Sequence, residues 1–216
     1  MWWPISISNT FVSVFGYPLS YIELAGTLTG LISVWFAAKA KIWTWPTGLI
    51  NVTCFFLIFF EIHLYADMFL QVYFFITSIY GWLVWNSRRD HHTIEVLPTA
   101  KRTWLLIAVI ASTIVFGLLV KNIHLLLPTI FNKPASYPFP DTFVAVISII
   151  ATVLLAQKKL ENWILWITAD VISVVMYAKK GVLFISIEYA VFLCLASWGL
   201  VTWRKLFLNE NRAGIR

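Results

Sequence analysis

Runs of apolar residues, each about as long as a bilayer is thick, alternate with short polar segments along almost the whole chain. Seven such runs stand out, at roughly 21–40, 43–60, 66–86, 103–120, 139–157, 163–178 and 182–203. A helix rises about 1.5 Å per residue, so roughly 20 apolar residues cross a hydrocarbon core ~30 Å thick. The pattern predicts seven transmembrane helices in an all-α integral membrane protein. Ahead of them, "MWWPISISNTFVSVFGYP" is interrupted by Pro4 and Pro18 and lacks the basic start of a cleavable signal. Residues 1–20 are therefore read as an amphipathic segment lying at the interface.

The runs repeat. Sliding the sequence by 118 residues, without gaps, brings Ala38 onto Ala156, Lys41 onto Lys159 and Trp45 onto Trp163. The same shift brings Gly81 onto Gly199, Trp85 onto Trp203 and Glu23 onto Asp141. Each unit holds three helices, and one helix joins the units, so both keep the same orientation in the membrane. The expectation is two parallel three-helix repeats joined by a linker helix, a 3+1+3 arrangement of the kind transporters use. The boundaries are 21–86 for the first repeat, 87–138 for the linker region with helix four, 139–204 for the second repeat and 205–216 for a cytoplasmic tail.

Composition strengthens the membrane reading. Of 216 residues, 60% are hydrophobic and 12% charged, with a mean hydropathy of +0.81, whereas a soluble domain is about half apolar and a quarter charged. Cys54 and Cys194 fall inside predicted spans and read as small apolar residues. The net charge of +6 raises nucleic acid as a partner, but the distribution of that charge argues for orientation instead. Lys39, Lys41, Arg88, Arg89, Lys101, Arg102, Lys158, Lys159, Arg204, Lys205, Arg212 and Arg216 fall on one side. Only Lys121, Lys133, Lys179 and Lys180 fall on the other. The excess of basic residues marks the cytoplasmic side, which puts the N-terminus outside and the C-terminus inside.

One charge breaks the pattern. Asp170 is the only charged residue between Trp163 and Ala178, and an ionised carboxylate there costs about 3 kcal/mol to insert. Trp163, Trp166, Asp170, Ser173 and Tyr177 follow one helical face. A stripe of indoles ending at a carboxylate suits a flat organic cation, through stacking, cation–π attraction and charge-assisted hydrogen bonds. The alternative for Trp163 is an interfacial belt residue, and for Asp170 a structural bond to a neighbouring helix. On the counterpart helix, Asn51 sits one position before Val52, the alignment partner of Asp170, and would orient a ligand or bond across helices. Gln71, Phe74, Ser78, Gly81 and Trp85 share one face of helix three. Glu188 opens the last helix beside Tyr189, and either it or Asp170 is also a candidate proton relay.

Other chemistries lack their residues. His63, His91, His92 and His124 all fall in predicted loops, leaving no pair on facing helices for a metal or haem. The last helix has no central lysine for a retinal Schiff base. No Gly-rich phosphate loop and no nucleophile–base set appear, so neither ATP-driven transport nor an enzyme is expected, and no cofactor.

Two long stretches, "GLINVTCFFLIFFEIHLYADMFLQVYFFITSIYGWLVW" and "ENWILWITADVISVVMYAKKGVLFISIEY", resemble the PnuC family of vitamin transporters. The similarity runs from about Tyr21 to Trp203 and includes the QxxFFxxxxYGW and WxxWxxxxVIS patterns. Members take up nicotinamide riboside, and relatives carry thiamine or riboflavin. The resemblance implies a bacterial inner-membrane protein with a fold related to sugar-efflux transporters, usually a homotrimer in lipid. It also implies facilitated diffusion, made one-way by a cytoplasmic kinase that phosphorylates the vitamin. Carried over by position, Gln71, Phe74, Trp163, Trp166 and Asp170 would line the site. Nicotinamide riboside members tend to carry Asn at the positions of Ser78 and Asp170. An amide matches a carboxamide donor to acceptor, whereas an ionised Asp only accepts and suits an aminopyrimidine. Thiamine is therefore the expected cargo and nicotinamide riboside the alternative; a seven-helix receptor without transport is more distant.

Overall fold

The computed structural model describes residues 10–14, 16–62, 65–87, 93–126 and 136–213. Residues 1–9 of the N-terminal segment, with His63, Arg88, Arg89, His91, His92, Lys133 and Arg216, lie outside the described residues. A short antiparallel hairpin, β1 (Thr10–Val14) and β2 (Tyr17–Ser20), leads into seven helices. These are α1 (Tyr21–Ala38), α2 (Thr44–Glu61), α3 (Tyr65–Asn86), α4 (Thr99–Leu126), α5 (Pro138–Ala156), α6 (Glu161–Lys179) and α7 (Leu183–Arg212). Ser20 caps α1, its hydroxyl accepting from the backbone N–H of Glu23 at 3.2 Å, which satisfies one of the free donors at a helix start. Pro46 and Pro138 sit in first turns, where a missing N–H costs nothing.

Among the described residues, six helices are long and apolar enough to cross a membrane, all but α6. The expectation of seven apolar spans is corrected there for a physical reason. The inward face of α6 buries Glu161, Asn162, Asp170 and Ser173, which lowers the mean hydropathy of the helix, while Ile164, Val171 and Val175 keep its exposed face apolar. A second correction concerns α4, which runs past its apolar window so that His124 lies in its last turn rather than in a loop.

Packing closes a ring. α1 lies against α2, α2 against α3, α3 against α5, α5 against α6, α6 against α7, and α7 returns to α1. α4 packs on α5, and much of its surface is exposed apolar side chain. The α1–α2 and α5–α6 turns share one geometry at the 118-residue offset. Ala40 (φ 52°) and Lys158 (φ 51°) both take the left-handed conformation. The N–H of Lys41 reaches the carbonyl of Phe36 at 2.9 Å, and that of Lys159 reaches Leu154 at 2.8 Å.

At this end of the ring four indoles form a chain. Ring centroids of Trp45 and Trp85 are 5.3 Å apart, of Trp85 and Trp203 6.3 Å, and of Trp203 and Trp163 5.6 Å. Only glycine leaves room for them: a Cβ on Gly81 would come within 2.4 Å of Trp45, and one on Gly199 within 2.7 Å of Trp163. The other two indoles bond across the ring. Trp85 Nε1 donates to the Ala156 carbonyl and Trp203 Nε1 to the Ala37 carbonyl, both at 2.9 Å. The α3–α4 connector seals the cluster from below by burying Ile94 and Leu97. Glu161 holds it, its Oε1 accepting from the Leu97 N–H at 3.0 Å and from Arg102 Nε at 2.9 Å. A Lys159–Glu95 ion pair and a bond from the Ile94 N–H to Glu210 complete the strap.

Candidate transport site

The ring encloses a cavity of about 270 Å³, lined by residues from all six of its helices. α6 contributes Trp163, Trp166 and Asp170, three side chains that share a face because they recur at helical spacing. α3 contributes Gln71, Phe74 and Ser78. α2 contributes Trp45, Gly48 and Asn51. Seven of the eight residues singled out in the sequence thus meet around one space.

Their environments differ in what they leave free. Trp163 is 1% exposed and wedged against Gly199, so it is a wall of the cavity and not an interfacial belt residue. Asp170 is 5% exposed, and no described residue donates a hydrogen bond to it. A structural bond to a neighbouring helix is therefore not its role among the described residues. A buried polar group without a partner costs about 1–3 kcal/mol, and more when charged. Its carboxylate is thus left open to a donor inside the cavity that it lines.

Asn51 is half committed. Its Nδ2 donates to the Gly26 carbonyl at 2.7 Å, tying α2 to α1. That approach depends on Gly30, where a Cβ would stand 2.7 Å from Nδ2. The interhelical bond and the cavity lining, open alternatives in the sequence, coexist.

Glu188 is not among the lining residues; Tyr189, one position on, takes that place. One residue turns the helix about 100°, which is enough to move a side chain off the face. Glu188 instead faces the polar group at the hairpin end. There Tyr17 Oη donates to Glu23 Oε1 at 2.5 Å. Burial first, then Glu23 and the charge of Glu188, push the Tyr17 phenol above its usual range.

Tyr189 and Phe192 are lining residues not singled out in the sequence. The 118-residue shift carries Gln71 onto Tyr189 and Phe74 onto Phe192, so the repeat held the signal. Among the described residues no group of three His, Cys, Asp or Glu side chains could hold a metal ion. The arrangement is an aromatic box with one carboxylate, able to bind and release a small flat solute.

Residues 20–205 match the family described as nicotinamide mononucleotide transporter. The chain is 37% identical over 209 residues to the nicotinamide riboside transporter PnuC of Escherichia coli, covering 87% of each. It is 26% identical over 207 residues to PnuC of Neisseria mucosa, covering 90% of this chain and 76% of that one. Identity to the riboflavin/roseoflavin transporter RibM of Streptomyces davaonensis is 25% over 201 residues, covering 91% and 90%. The fold is similar to the crystal structure of the vitamin B3 transporter PnuC, with a TM-score of 0.63 and 23% identity, over 88% of this chain and 83% of that one.

Proposed function

We infer a cargo from one premise: the chain belongs to the PnuC family of vitamin transporters and is a multi-pass membrane protein. The cargo is thiamine, and the observation that carries this reading is Asp170, buried, unpartnered and flanked by two indoles on one cavity wall. The aminopyrimidine of thiamine offers an exocyclic NH₂ and a ring nitrogen that binds a proton. They lie on opposite sides of the ring, and a carboxylate accepts a strong hydrogen bond from either one. Trp163 and Trp166 stack on the flat rings and attract the thiazolium cation. Gln71 and the free end of Asn51 orient polar groups, with Phe74 and Ser78 completing the wall. Glu188 acts as entrance electrostatics rather than as a ligand.

Transport is facilitated diffusion through a homotrimer, with a cytoplasmic kinase trapping the vitamin inside. The N-terminus is outside and the C-terminus cytoplasmic, in a bacterial inner membrane, as the twelve-to-four distribution of basic residues favours. The two-repeat reading, with α4 as linker between 21–86 and 139–204, is supported by the turns and glycine–indole contacts that recur at the 118-residue offset.

Nicotinamide riboside is the second reading, favoured by the name of the relative at 37% identity. Affinities of wild type and Asp170→Asn for both vitamins separate the two. The substitution should weaken thiamine binding by about 2–4 kcal/mol, the usual cost of removing one partner of a buried charge-assisted bond. It should strengthen nicotinamide riboside binding, because an amide matches a carboxamide. Wild-type preference for nicotinamide riboside, or unchanged thiamine affinity in the variant, overturns the thiamine reading.

A further inference from the structure

At the 118-residue offset the two repeats match as far as their last indoles and then part. After Trp203, α7 continues as a helix to Arg212. After Trp85, its counterpart, α3 stops at Asn86, and residues 94–97 run as a strap beneath the indole cluster. The strap therefore lies outside the repeat. Its side chains divide by direction. Ile94 and Leu97 are buried, at 2% and 9% exposed, while Glu95 points outward. Ile94 packs into the cluster that holds Trp45 and Trp163, and those two indoles also line the cavity. The strap is thus a floor beneath one end of the cavity.

While that floor is in place the rings have nowhere to go. Trp45 and Trp163 are pinned against Gly81 and Gly199. The bonds from Trp85 to the Ala156 carbonyl and from Trp203 to the Ala37 carbonyl tie each repeat to the other. A close-packed interior leaves no void into which an indole could rotate. Opening of this end therefore begins with the strap.

The strap is held in a way that suits release. The Glu95 N–H donates to the Lys158 carbonyl at 3.0 Å, and the Leu160 N–H to the Glu95 carbonyl at 2.8 Å. Lys159 pairs with Glu95, Glu161 accepts from the Leu97 N–H, and Glu210 accepts from the Ile94 N–H. All of these ties are polar, and all run to the second repeat. Once the strap lifts, water takes the place of each partner. Such a unit opens locally, at a lower free energy than global unfolding.

We propose that the strap is the gate of the cavity at this end, shut in this structure and latched by Glu161, and that cargo passes only when the strap lifts. This rests on the vitamin-transport reading above. It does not depend on which vitamin is carried or on which side of the membrane this end faces. Glu161 Oε1 also accepts from Arg102 Nε at 2.9 Å, so one carboxylate joins the strap, α6 and α4. Glu161 does not line the cavity, and it acts as a positioning residue.

The test fixes the strap where it already meets the second repeat. Glu95 and Lys159 are partners in a parallel backbone bridge and their side chains touch. The double variant Glu95→Cys/Lys159→Cys should therefore form a disulfide without moving the backbone. Neither residue lines the cavity. The full chain is reconstituted in vesicles, and binding and flux of thiamine and of nicotinamide riboside are measured reduced, oxidised and reduced again. Oxidation should abolish flux of the vitamin that wild type carries and leave its affinity unchanged, and reduction should restore the flux. The single variants Glu95→Cys and Lys159→Cys should respond to neither treatment. Hydrogen exchange supplies a second readout. Glu161→Gln keeps an acceptor for the Leu97 N–H but loses the charge that holds Arg102, so residues 93–98 should exchange faster while α2 exchanges as in wild type. Equal flux through the oxidised and reduced pair, loss of binding together with flux, or unaltered exchange in Glu161→Gln makes the strap a fixed part of the scaffold and overturns the proposal. If wild type binds a vitamin yet passes neither, the transport reading itself has failed and the gate falls with it.

Discussion

Replacing Gly81 with alanine would put a methyl carbon where the Trp45 indole already is. The new Cβ would lie 2.4 Å from Cη2 and Cζ2 of that ring and 2.6 Å from Cζ3. Carbon atoms pack at about 3.5–4.0 Å, so roughly 1 Å of relief has to come from somewhere. The indole is 3% exposed and abuts Trp85 nearly edge-on, at 86° between planes. It can yield only toward the cavity. Overpacking of this kind costs about 1–3 kcal/mol, while alanine regains about 1 kcal/mol of helix propensity over glycine. The net expectation is a loss of up to about 2 kcal/mol. At about 2–4 °C per kcal/mol for a chain of this size, thermal unfolding in detergent should fall by up to roughly 8 °C. Vitamin affinity should fall with it, because the displaced ring enters the cavity. Adding Trp45→Phe to Gly81→Ala should recover part of the melting temperature, since the smaller ring vacates the collision. If Gly81→Ala melts above wild type and binds the vitamin unchanged, the indole is not fixed and the argument fails.

Glu161→Ala should cost about 1–3 kcal/mol, because the buried Leu97 N–H loses its acceptor. Arg102→Gln should cost under about 1 kcal/mol, since that side chain is 46% exposed; equal melting temperatures for the two variants would refute the distinction. Trp203→Phe should lower the melting temperature more than Trp85→Phe, because both lose a bond to a carbonyl but Trp203 is the more deeply buried. The raised phenol of Tyr17 stabilises the fold fully below its unfolded pKa, about 10, and that contribution is lost as pH rises through the higher folded value. Tyr17→Phe should accordingly flatten the alkaline limb of a stability–pH profile. A reporter fused after Arg216 should be cytoplasmic; a periplasmic signal would reverse the orientation.

The sequence made the helices legible because a bilayer imposes a length and a polarity on each, and those survive in the hydropathy pattern. The cavity face of α6 was legible too, since Trp163, Trp166 and Asp170 keep helical spacing. Which helices meet was not, because the closures of α3 on α5 and of α7 on α1 leave no periodic mark. Asn51 illustrates the same limit: its bond to Gly26 exists because Gly30 lets two backbones approach, a fact about two helices at once. The strap at Ile94–Leu97 reads as an ordinary loop, and its burial is set by Glu161, more than sixty residues away. Glu188 shows that a boundary known to within a turn does not determine a face, whereas Tyr189 was recoverable from Gln71 by the repeat.

The four indoles also make the protein its own optical instrument. At centroid separations of 5.3 to 6.3 Å, excitation absorbed by one ring passes to its neighbours before it is emitted. Trp45 and Trp163 border the cavity, so a cationic ring that stacks there quenches the whole chain of emitters and not a single residue. Arrival of the vitamin should therefore register in unlabelled protein as a loss of intrinsic fluorescence larger than one tryptophan in twelve can account for. Trp85, which meets the cavity only through its neighbours, should dim with them.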